Sequence, residues 1–443
     1  MHNLPLLFNE RNIVLEDKNI QNSRAVLVAL CRDNAQLSET EKSLDELARL
    51  LDTAGGEVFA RLIQNKDTPD VRTVIGSGKV QELRDLCKNN EINLVIFDGD
   101  LSPSQIRNLE DEIDGVSVID RSMLILDIFA LHAQTGEGKL QVELAQLKYT
   151  APRLIGKGNE LSRLGGGIGT RGPGESKLES DKRHMKRRIT ALEAELETLE
   201  KNRMTMRASR DKSGITKVSI VGYTNAGKST LLNRLTDAGI LAEDKLFATL
   251  DPTTRKFELP SGQPILLTDT VGFIRKLPHH LVKAFKSTLD EAVYADILVI
   301  LCDVSDEEYP AQLAVTREIL GELGAADKPT IYVFNKCDKG IAASPATVIN
   351  TDTEHYVLLS AKEGDGTQTL VELIDKIIHE RKSRAVFVIP NAEQGALNIL
   401  YKNATVEDVE YGSDAVTVTA IVDAKARGMM RKYDTCPPPK EEY

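Results

Sequence analysis

The chain has 443 residues, of which 41% are hydrophobic and 28% charged, and its formal net charge is −11. This length exceeds one ordinary core, so we expect about two to four domains. The acidic balance argues against a general nucleic-acid binder, and apolar runs of about ten residues are too short for a membrane span, which needs roughly 20.

The first residues, MHNLPLLFNERN, lack a basic segment followed by an apolar stretch, so no secretory signal is predicted. A cytoplasmic location is expected, with peripheral membrane association as an open alternative. The scattered cysteines form no C-x-x-C pair, which favours reduced thiols and disfavours zinc. There are five: Cys31, Cys87, Cys302, Cys337 and Cys436.

Residues 1–139 alternate between strand-like and helix-like segments. RAVLVALC and INLVIFDGD are buried-strand runs, residues 38–52 are amphipathic, and SPSQIRNLEDEI begins with residues typical of a helix N-terminus. Such β–α alternation predicts a small N-terminal α/β domain with a parallel sheet.

Residues 140–213 are helical in character, except for the glycine-rich stretch RLGGGIGTRGPGE at residues 163–175. The simplest arrangement is a hairpin of two long helices joined by a flexible basic loop. Between residues 148 and 188 there are eleven Lys or Arg and four Asp or Glu, a local net charge of +7.

Residues 214–383 contain five buried-strand runs separated mostly by helical segments: KVSIVG, PILLTD, DILVILCDV, PTIYVFN and HYVLLS. This pattern predicts a Ras-like, doubly wound α/β domain. Residues 384–443 contain two strand-like runs around one helical segment. They predict a small α+β C-terminal domain, and the tail CPPPKEEY is expected to be disordered.

A phosphate-binding loop follows the first strand of the doubly wound domain. GYTNAGKS, residues 222–229, matches G-x-x-x-x-G-K-[ST] between a strand and a helix, which is the context that the motif requires. Gly222 and Gly227 permit the tight backbone curvature, Lys228 would contact the β- and γ-phosphates, and the Ser229 hydroxyl would bind Mg²⁺.

The element that distinguishes GTP from ATP is NKCD, residues 335–338, which follows the fourth strand-like run. The Asp338 carboxylate only accepts hydrogen bonds, so it pairs with the N1–H and amino group of guanine and rejects adenine. Asn335 would tie this loop to the phosphate loop, the Lys336 stem would cover the base, and a backbone N–H of SAK, residues 360–362, would meet guanine O6.

Two segments between these motifs are predicted to respond to the γ-phosphate. In DTVG, Asp269 would hold Mg²⁺ through water and the Gly272 N–H would meet the γ-phosphate. FATLDPTTR, residues 247–255, is predicted to be a loop in which Thr249 is the second hydroxyl ligand to Mg²⁺. Thr253 and Thr254 remain alternatives for that role.

Two further residues bear on hydrolysis. Phe273 stands where many GTPases of this architecture have a Gln that orients the attacking water, so hydrolysis should be slow without a partner. No arginine finger within the chain can be assigned. Arg255 and Arg275 are nearby, but the simpler interpretation is that both are solvent-exposed residues of the switch segments. Asn225 is a candidate for holding K⁺ beside the phosphates, with a structural Asn as the alternative.

These motifs, in this order, are typical of translation-factor-related GTPases, and the flanking sequences are more specific. FDGDLSPSQIRNLE, VIDRSMLILDIFALHAQTGEGKLQVELAQLKY, RLGGGIGTRGPGESKLESDKR, GYTNAGKST and FATLDPTTR together resemble the HflX family. The resemblance covers nearly the whole chain and is most specific between about residues 76 and 272.

The resemblance implies an Mg²⁺-dependent GTPase that binds the large ribosomal subunit and splits or rescues stalled ribosomes under stress. It implies Ser229 and Thr249 as Mg²⁺ ligands. The predicted GTP-binding residues are Gly222, Tyr223, Thr224, Asn225, Ala226, Gly227, Lys228, Ser229, Thr230, Phe247, Ala248, Thr249, Leu250, Asp251, Asp269, Thr270, Val271, Gly272, Asn335, Lys336, Cys337, Asp338, Ser360, Ala361 and Lys362, with Lys228 and Gly272 as the catalytic pair.

Four basic residues near the glycine-rich stretch are candidate RNA contacts, since glycines allow close approach to phosphates. They are Arg153, Lys157, Arg163 and Arg171. A nucleotide-gated module acting on a non-ribosomal protein or a membrane-associated partner is the alternative. The resemblance also implies a proposed ATP-binding role for the N-terminal region, where VIGSGKVQEL is the glycine-rich candidate, but a helix-initiating turn is the simpler interpretation. A monomer is expected.

Overall fold

The computed structural model describes residues 20–152, 173–212, 215–236, 239, 245–277, 286–380, 383–422 and 424–435. The chain divides into two compact units. The first contains the chain up to Thr198 together with Glu243–Asp251 and Gly272–Thr288. The second contains Leu199–Ala242, Pro252–Val271 and Leu289–Tyr443.

The first unit contains a four-stranded parallel sheet with the strand order β2-β1-β3-β4. Its strands are β1 (Arg24–Cys31), β2 (Glu57–Asn65), β3 (Leu94–Phe97) and β4 (Ser117–Asp120). The helices that alternate with them are α1 (Leu37–Thr53), α2 (Ser77–Asn89), α3 (Pro103–Glu112) and α4 (Arg121–His132). The parallel-sheet domain predicted from the alternation is thus present.

Local signals set the starts of these helices. Ser102 and Gln105 form a reciprocal capping box at α3, and the Asp120 side chain accepts from the backbone N–H of Met123 at the start of α4. Gly76, within VIGSGKVQEL, is the N-cap of α2. That stretch is therefore a helix-initiating turn, as expected.

Two long helices, α5 (Gly136–Thr150) and α6 (Pro173–Lys212), follow the first sheet and together make up the helical arm of the protein. Arg188 donates to both carboxylate oxygens of Glu143 at 2.7 Å, and Lys148 pairs with Glu193 at 2.7 Å. From the first pair to the second, the residue numbers increase on both helices. The contacting parts of α5 and α6 therefore run in the same direction rather than antiparallel as in a hairpin. The candidate RNA contacts Arg153, Lys157, Arg163 and Arg171 lie outside the described residues.

The second unit contains a six-stranded sheet with the order β10-β9-β8-β5-β7-β6. Its strands are β5 (Thr216–Gly222), β6 (Thr253–Glu258), β7 (Pro264–Asp269), β8 (Ile297–Asp303), β9 (Thr330–Asn335) and β10 (His355–Leu358). Its helices are α7 (Lys228–Thr236), α8 (Lys286–Val293, which begins in the first unit), α9 (Tyr309–Glu322) and α10 (Thr367–Glu380). The doubly wound domain is confirmed.

One strand of this sheet was not expected. The sequence TTRKFE forms β6, which pairs antiparallel with β7 at the edge of the sheet. The prediction of a loop throughout residues 247–255 is therefore wrong for Thr253 to Arg255. The strand is half-exposed, so it lacks the apolar run that identifies the buried strands.

A three-stranded antiparallel sheet in the order β11-β13-β12 forms the C-terminal part. It consists of β11 (Ser383–Pro390), β12 (Thr405–Tyr411) and β13 (Ala415–Val422), with the helices α11 (Leu397–Asn403) and α12 (Ala424–Met429). The predicted α+β character is correct, and β12 is additional. The predicted disordered tail, residues 436–443, lies outside the described part.

None of the helices in the described part of the chain combines the length and the hydrophobicity that a membrane-spanning segment requires. The four described cysteines are free thiols. Burial raises the pKa of Cys87 to about 11 and that of Cys302 to about 12.

Candidate nucleotide-binding site

The loop between β5 and α7 has the backbone that a phosphate-binding loop requires. Gly222 and Gly227 have φ of 145° and 98°, and Asn225 has φ of 61°. A Cβ at Gly222 would collide with the Leu301 carbonyl oxygen, and one at Gly227 would collide with the Asn335 amide nitrogen. Glycine is therefore required at both positions for two reasons. The ends of the neighbouring strands β8 and β9 lie too close for a side chain, and the backbone dihedral angles favour glycine.

Lys228 is buried and donates to the carbonyl oxygens of Gly222 (3.3 Å) and Tyr223 (2.9 Å), so its ammonium group lies inside the loop. Burial lowers the pKa of Lys228 to about 8, against the opposing attraction of the Asp269 carboxylate. A buried cation within a ring of backbone dipoles is suited to the negative charge of a phosphate.

Two predicted metal ligands lie side by side. The Ser229 hydroxyl donates to a carboxylate oxygen of Asp269 at 2.6 Å. Asp269 is completely buried at the end of β7, and Thr270 donates to the Ile220 carbonyl at 2.8 Å, which fixes the start of the DTVG loop against β5. A hydroxyl and a carboxylate are the hard oxygen donors that Mg²⁺ prefers, so this pair fits the ion.

Asn335 joins the three loops of the site. Its amide nitrogen donates to the Ala226 carbonyl at 2.7 Å, and its amide oxygen accepts from the Ala361 N–H at 2.9 Å. Lys336 pairs with Asp303 at 2.7 Å and donates to the Asn225 carbonyl at 2.9 Å. The phosphate loop, the NKCD loop and the SAK loop are thus held together.

Asp338 is exposed at the end of this arrangement, where it can meet a ligand. Hydrogen bonding to Ser360, the largest contribution, holds the pKa of Asp338 below its ordinary value. The carboxylate therefore stays ionised at neutral pH and acts only as a hydrogen-bond acceptor. Ser360 itself is buried and accepts from the Glu363 N–H at 3.2 Å, which closes the SAK turn.

The remaining predicted residues belong to the first unit. These are Gly272 and the segment from Phe247 to Asp251. Phe247 has φ of 58° and is buried with its ring against Phe129, while Thr249 is half-buried. The second unit therefore brings together Gly222 to Thr230, Asp269 to Val271, Asn335 to Asp338 and Ser360 to Lys362, but not these.

The alternative Mg²⁺ ligands lie in β6. Thr253 and Thr254 pair with Asp269 and Thr268 of β7, and the Thr254 hydroxyl is hydrogen-bonded to that of Thr268 at 2.9 Å. Arg255 is exposed and donates to the Thr254 carbonyl. Of the three candidate threonines, Thr253 and Thr254 thus belong to a strand, whereas Thr249 lies outside helices and strands.

Sequence reasoning missed a buried charged network in the first unit. Arg121 donates to Asp98 at 2.7 Å and also to Glu46, and Ser43 donates to Asp98 at 2.7 Å. Lys276 donates to the same carboxylate. The sequence feature that could have indicated this network is the Arg within the apolar run VIDRSMLILDIF. A charge buried there without a partner would be too costly.

The sheet order, the phosphate-binding loop between β5 and α7, and the loop after β9 define a P-loop GTPase. Two relatives named GTPase HflX are 49% identical over 93% of this chain and 96% of the relative (Lacrimispora saccharolytica) and 41% identical over 83% and 86% (Escherichia coli K12). The chain belongs to the HflX family of GTPases.

Family profiles cover most of the chain. Residues 41–130 match the family described as GTP-binding GTPase N-terminal, residues 132–210 match GTP-binding GTPase Middle Region, and residues 217–336 match 50S ribosome-binding GTPase. A solved structure of a GTP-binding protein from Sulfolobus solfataricus in complex with GDP is 28% identical, covering 81% of this chain and 99% of that one, with a TM-score of 0.44. The GTPase HflX relatives and the GTPase family profile over residues 217–336 show that the chain is an enzyme that hydrolyses GTP.

Proposed function

We propose that GTP binds to the second unit with its phosphates in the loop at residues 222–230 and its base against residues 335–338 and 360–362. The hydrogen bonds of Asn335 to both neighbouring loops carry this proposal, because they preform the distance between the phosphate and base positions. On binding, the Lys228 ammonium exchanges its two loop carbonyls for the β- and γ-phosphates.

Asp338 reads the base, since its ionised carboxylate accepts from the N1–H and amino group of guanine. Asp338→Asn tests this role, because an amide donates as well as accepts and matches xanthine, which carries a carbonyl in place of the amino group. The variant should lose GTP and gain XTP binding in a fluorescence titration. Asp327→Asn, an exposed Asp in the same unit, is the control; equal GTP affinity of wild-type and Asp338→Asn proteins would refute the assignment.

Mg²⁺ would be held by the hydroxyls of Ser229 and Thr249, with Asp269 contacting it through water. The ion supplies neutralisation of the charge on the β- and γ-phosphates. Ser229 and Asp269 already lie 2.6 Å apart, which supports this donor set. Ser229→Ala should raise the Mg²⁺ concentration needed for half-maximal hydrolysis, and an unchanged concentration would remove Ser229 from the site.

Lys228 and the Gly272 N–H stabilise charge on the γ-phosphate during hydrolysis. Phe273 is completely buried and has no polar group to orient water, so the protein alone hydrolyses GTP slowly. Asn225 is a candidate K⁺ ligand beside the phosphates. Comparing hydrolysis in KCl and NaCl at equal ionic strength decides this point, since equal rates would exclude a K⁺-specific role.

The partner that we propose is the large ribosomal subunit, reached through RNA contacts in the N-terminal and arm regions. Support comes from the match of residues 217–336 to the 50S ribosome-binding GTPase family and from the +7 net charge between residues 148 and 188. Basic residues of that segment, including Arg153, Lys157, Arg163 and Arg171, would neutralise phosphates, so binding should weaken steeply with salt.

The biological role that follows is splitting or rescue of stalled ribosomes in the cytoplasm under stress. Purified large subunits should raise the GTPase rate many-fold, and they should co-sediment with the protein in a GTP analogue but not in GDP. Absence of both effects would favour a non-ribosomal protein or membrane-associated partner. The variant Lys228→Ala should lose stimulated hydrolysis.

A further inference from the structure

The segment that contains Thr249 is anchored on both sides within the first unit. On its N-terminal side, the Phe247 ring packs edge-on against Phe129 of α4, with 4.7 Å between the ring centroids. The preceding Leu246 N–H donates to the Thr53 hydroxyl at 3.3 Å. Phe247 has a left-handed backbone, which a bulky residue adopts only when its surroundings enforce it.

On the C-terminal side, the Asp251 carboxylate accepts three hydrogen bonds at the start of α5. One oxygen accepts from the backbone N–H groups of Gln134 (3.0 Å) and Thr135 (2.8 Å), and the other accepts from the Thr135 hydroxyl (2.5 Å). The same hydroxyl accepts from the Gly138 N–H at 2.9 Å as the N-cap of α5. The carboxylate is therefore coupled to the first turn of that helix.

The glycine at position 138 is part of this arrangement. A Cβ there would lie 2.5 Å from the nearer Asp251 carboxylate oxygen and 3.0 Å from the Thr135 hydroxyl. Gly138 does not have a positive φ, so its requirement comes from the approach of Asp251 and not from backbone strain. A substitution at Gly138 can thus displace the carboxylate while leaving Asp251 in place.

We infer that Asp251 is a positioning residue for Thr249 in GTP hydrolysis. Thr249 lies two residues after the Phe247 anchor and two residues before the Asp251 anchor, so fixing both ends restricts where its hydroxyl can be. The contacts of Asp251 at the start of α5 therefore help to hold this hydroxyl in the position from which it binds Mg²⁺. The inference rests on the proposed function, in which Thr249 is an Mg²⁺ ligand.

The test measures the Mg²⁺ concentration for half-maximal hydrolysis in single turnover at saturating GTP. Asp251→Ala should raise it about tenfold, the effect expected when a charge-assisted anchor is lost. Asp251→Asn keeps an oxygen that can accept from both N–H groups, so its Mg²⁺ concentration for half-maximal hydrolysis should be close to that of the wild-type protein. Thr249→Ala should raise the concentration at least as much, and Asp251→Ala should add nothing in that background.

Two further variants separate positioning from general damage. Asp375→Ala removes a carboxylate that accepts from the Ser261 hydroxyl (2.7 Å) and N–H (3.2 Å), a similar contact away from the site. It should leave the Mg²⁺ dependence unchanged. Gly138→Ala should reproduce the Asp251→Ala effect, and it serves as the decisive variant if Asp251→Ala does not fold.

The outcomes are distinguishable. If Thr249→Ala alone shifts the Mg²⁺ dependence, the positioning role is refuted and the proposed function stands. Additive effects of Thr249→Ala and Asp251→Ala would also refute it, since Asp251 would then act independently. If Thr249→Ala causes no shift, the assignment of Thr249 to Mg²⁺ fails, and the positioning role fails with it.

Discussion

Replacing Arg121 by Met tests the buried charged network of the first unit. The Arg121 side chain is 2% exposed and contacts Asp98 and Glu46, whose side chains are 3% and 7% exposed. Met matches the length of the aliphatic stem but carries no charge. The variant therefore leaves two buried carboxylates without their shared guanidinium partner.

The expected cost follows from this burial. Removing one partner of a buried ion pair costs about 3–5 kcal/mol, because the remaining charge stays out of water. Lys276 contacts the same Asp98 carboxylate, but its side chain is 53% exposed. Lys276→Met should cost only about 0–1 kcal/mol, the range of solvent-exposed pairs. The two variants thus compare a buried and an exposed cation at one carboxylate.

Hydrogen exchange of the backbone N–H groups in β1 and β3 measures this cost within the first unit. Where exchange reports the opening equilibrium, a loss of 3–5 kcal/mol accelerates it by roughly 10²- to 10⁴-fold, at 1.36 kcal/mol per tenfold. Lys276→Met should change the rate by less than about tenfold. Global melting is less informative, since a chain with several domains does not unfold in one step.

Equal exchange rates in wild-type and Arg121→Met proteins would show that the Arg121 guanidinium does not stabilise the first unit. A rescue variant sharpens the test. Adding Glu46→Gln and Asp98→Asn to Arg121→Met removes both carboxylate charges, and replacement of a whole buried ionic group is often nearly neutral. Most of the lost protection should return. If it does not, the cost in Arg121→Met comes from packing and not from charge.

Two further predictions concern the nucleotide site. Because the pKa of Lys228 is lowered to about 8 in the free protein, and a bound triphosphate favours the charged form, GTP binding takes up a proton above that pH. The GTP dissociation constant should therefore be level up to about pH 7 and rise towards about pH 9, and a constant value across this range in titrations would contradict the role of Lys228. The second prediction concerns thiol modification in a Cys436→Ser background, measured by peptide mass spectrometry. Iodoacetamide should modify half-buried Cys337 faster than buried Cys87 or Cys302. GDP should slow the modification of Cys337. Unchanged modification with saturating GDP would argue against a base beside Cys337.

The parts of the fold that the sequence predicted are those set by local patterns. RAVLVALC forms β1 with the predicted bounds, and the phosphate-binding loop lies between the predicted strand and helix. Among the strands that the sequence analysis did not predict, β6 and β12 escaped notice because TTRKFE and TVEDVEY are polar and largely solvent-facing. Their pairing depends on neighbouring strands rather than on their own hydrophobicity.

The partners of Asp251 and Lys276 could not be predicted, because these contacts join residues far apart in the chain. Asp251 and Thr135 are separated by 116 residues, and Lys276 and Asp98 by 178. Neither Asp251 nor Lys276 stands in a pattern that indicates its partner. The motifs identified the chemistry of the GTPase site, whereas these partners appear only once the chain is folded.

Calorimetric titration of the purified protein with GTP and with ATP in the presence of Mg²⁺ measures whether this site selects guanine over adenine. We expect saturable binding of GTP, loss of that binding in Lys228→Ala, and discrimination against ATP by a factor of roughly 10⁴. ATP binding as tight as GTP binding, or no binding of either nucleotide, would contradict this expectation.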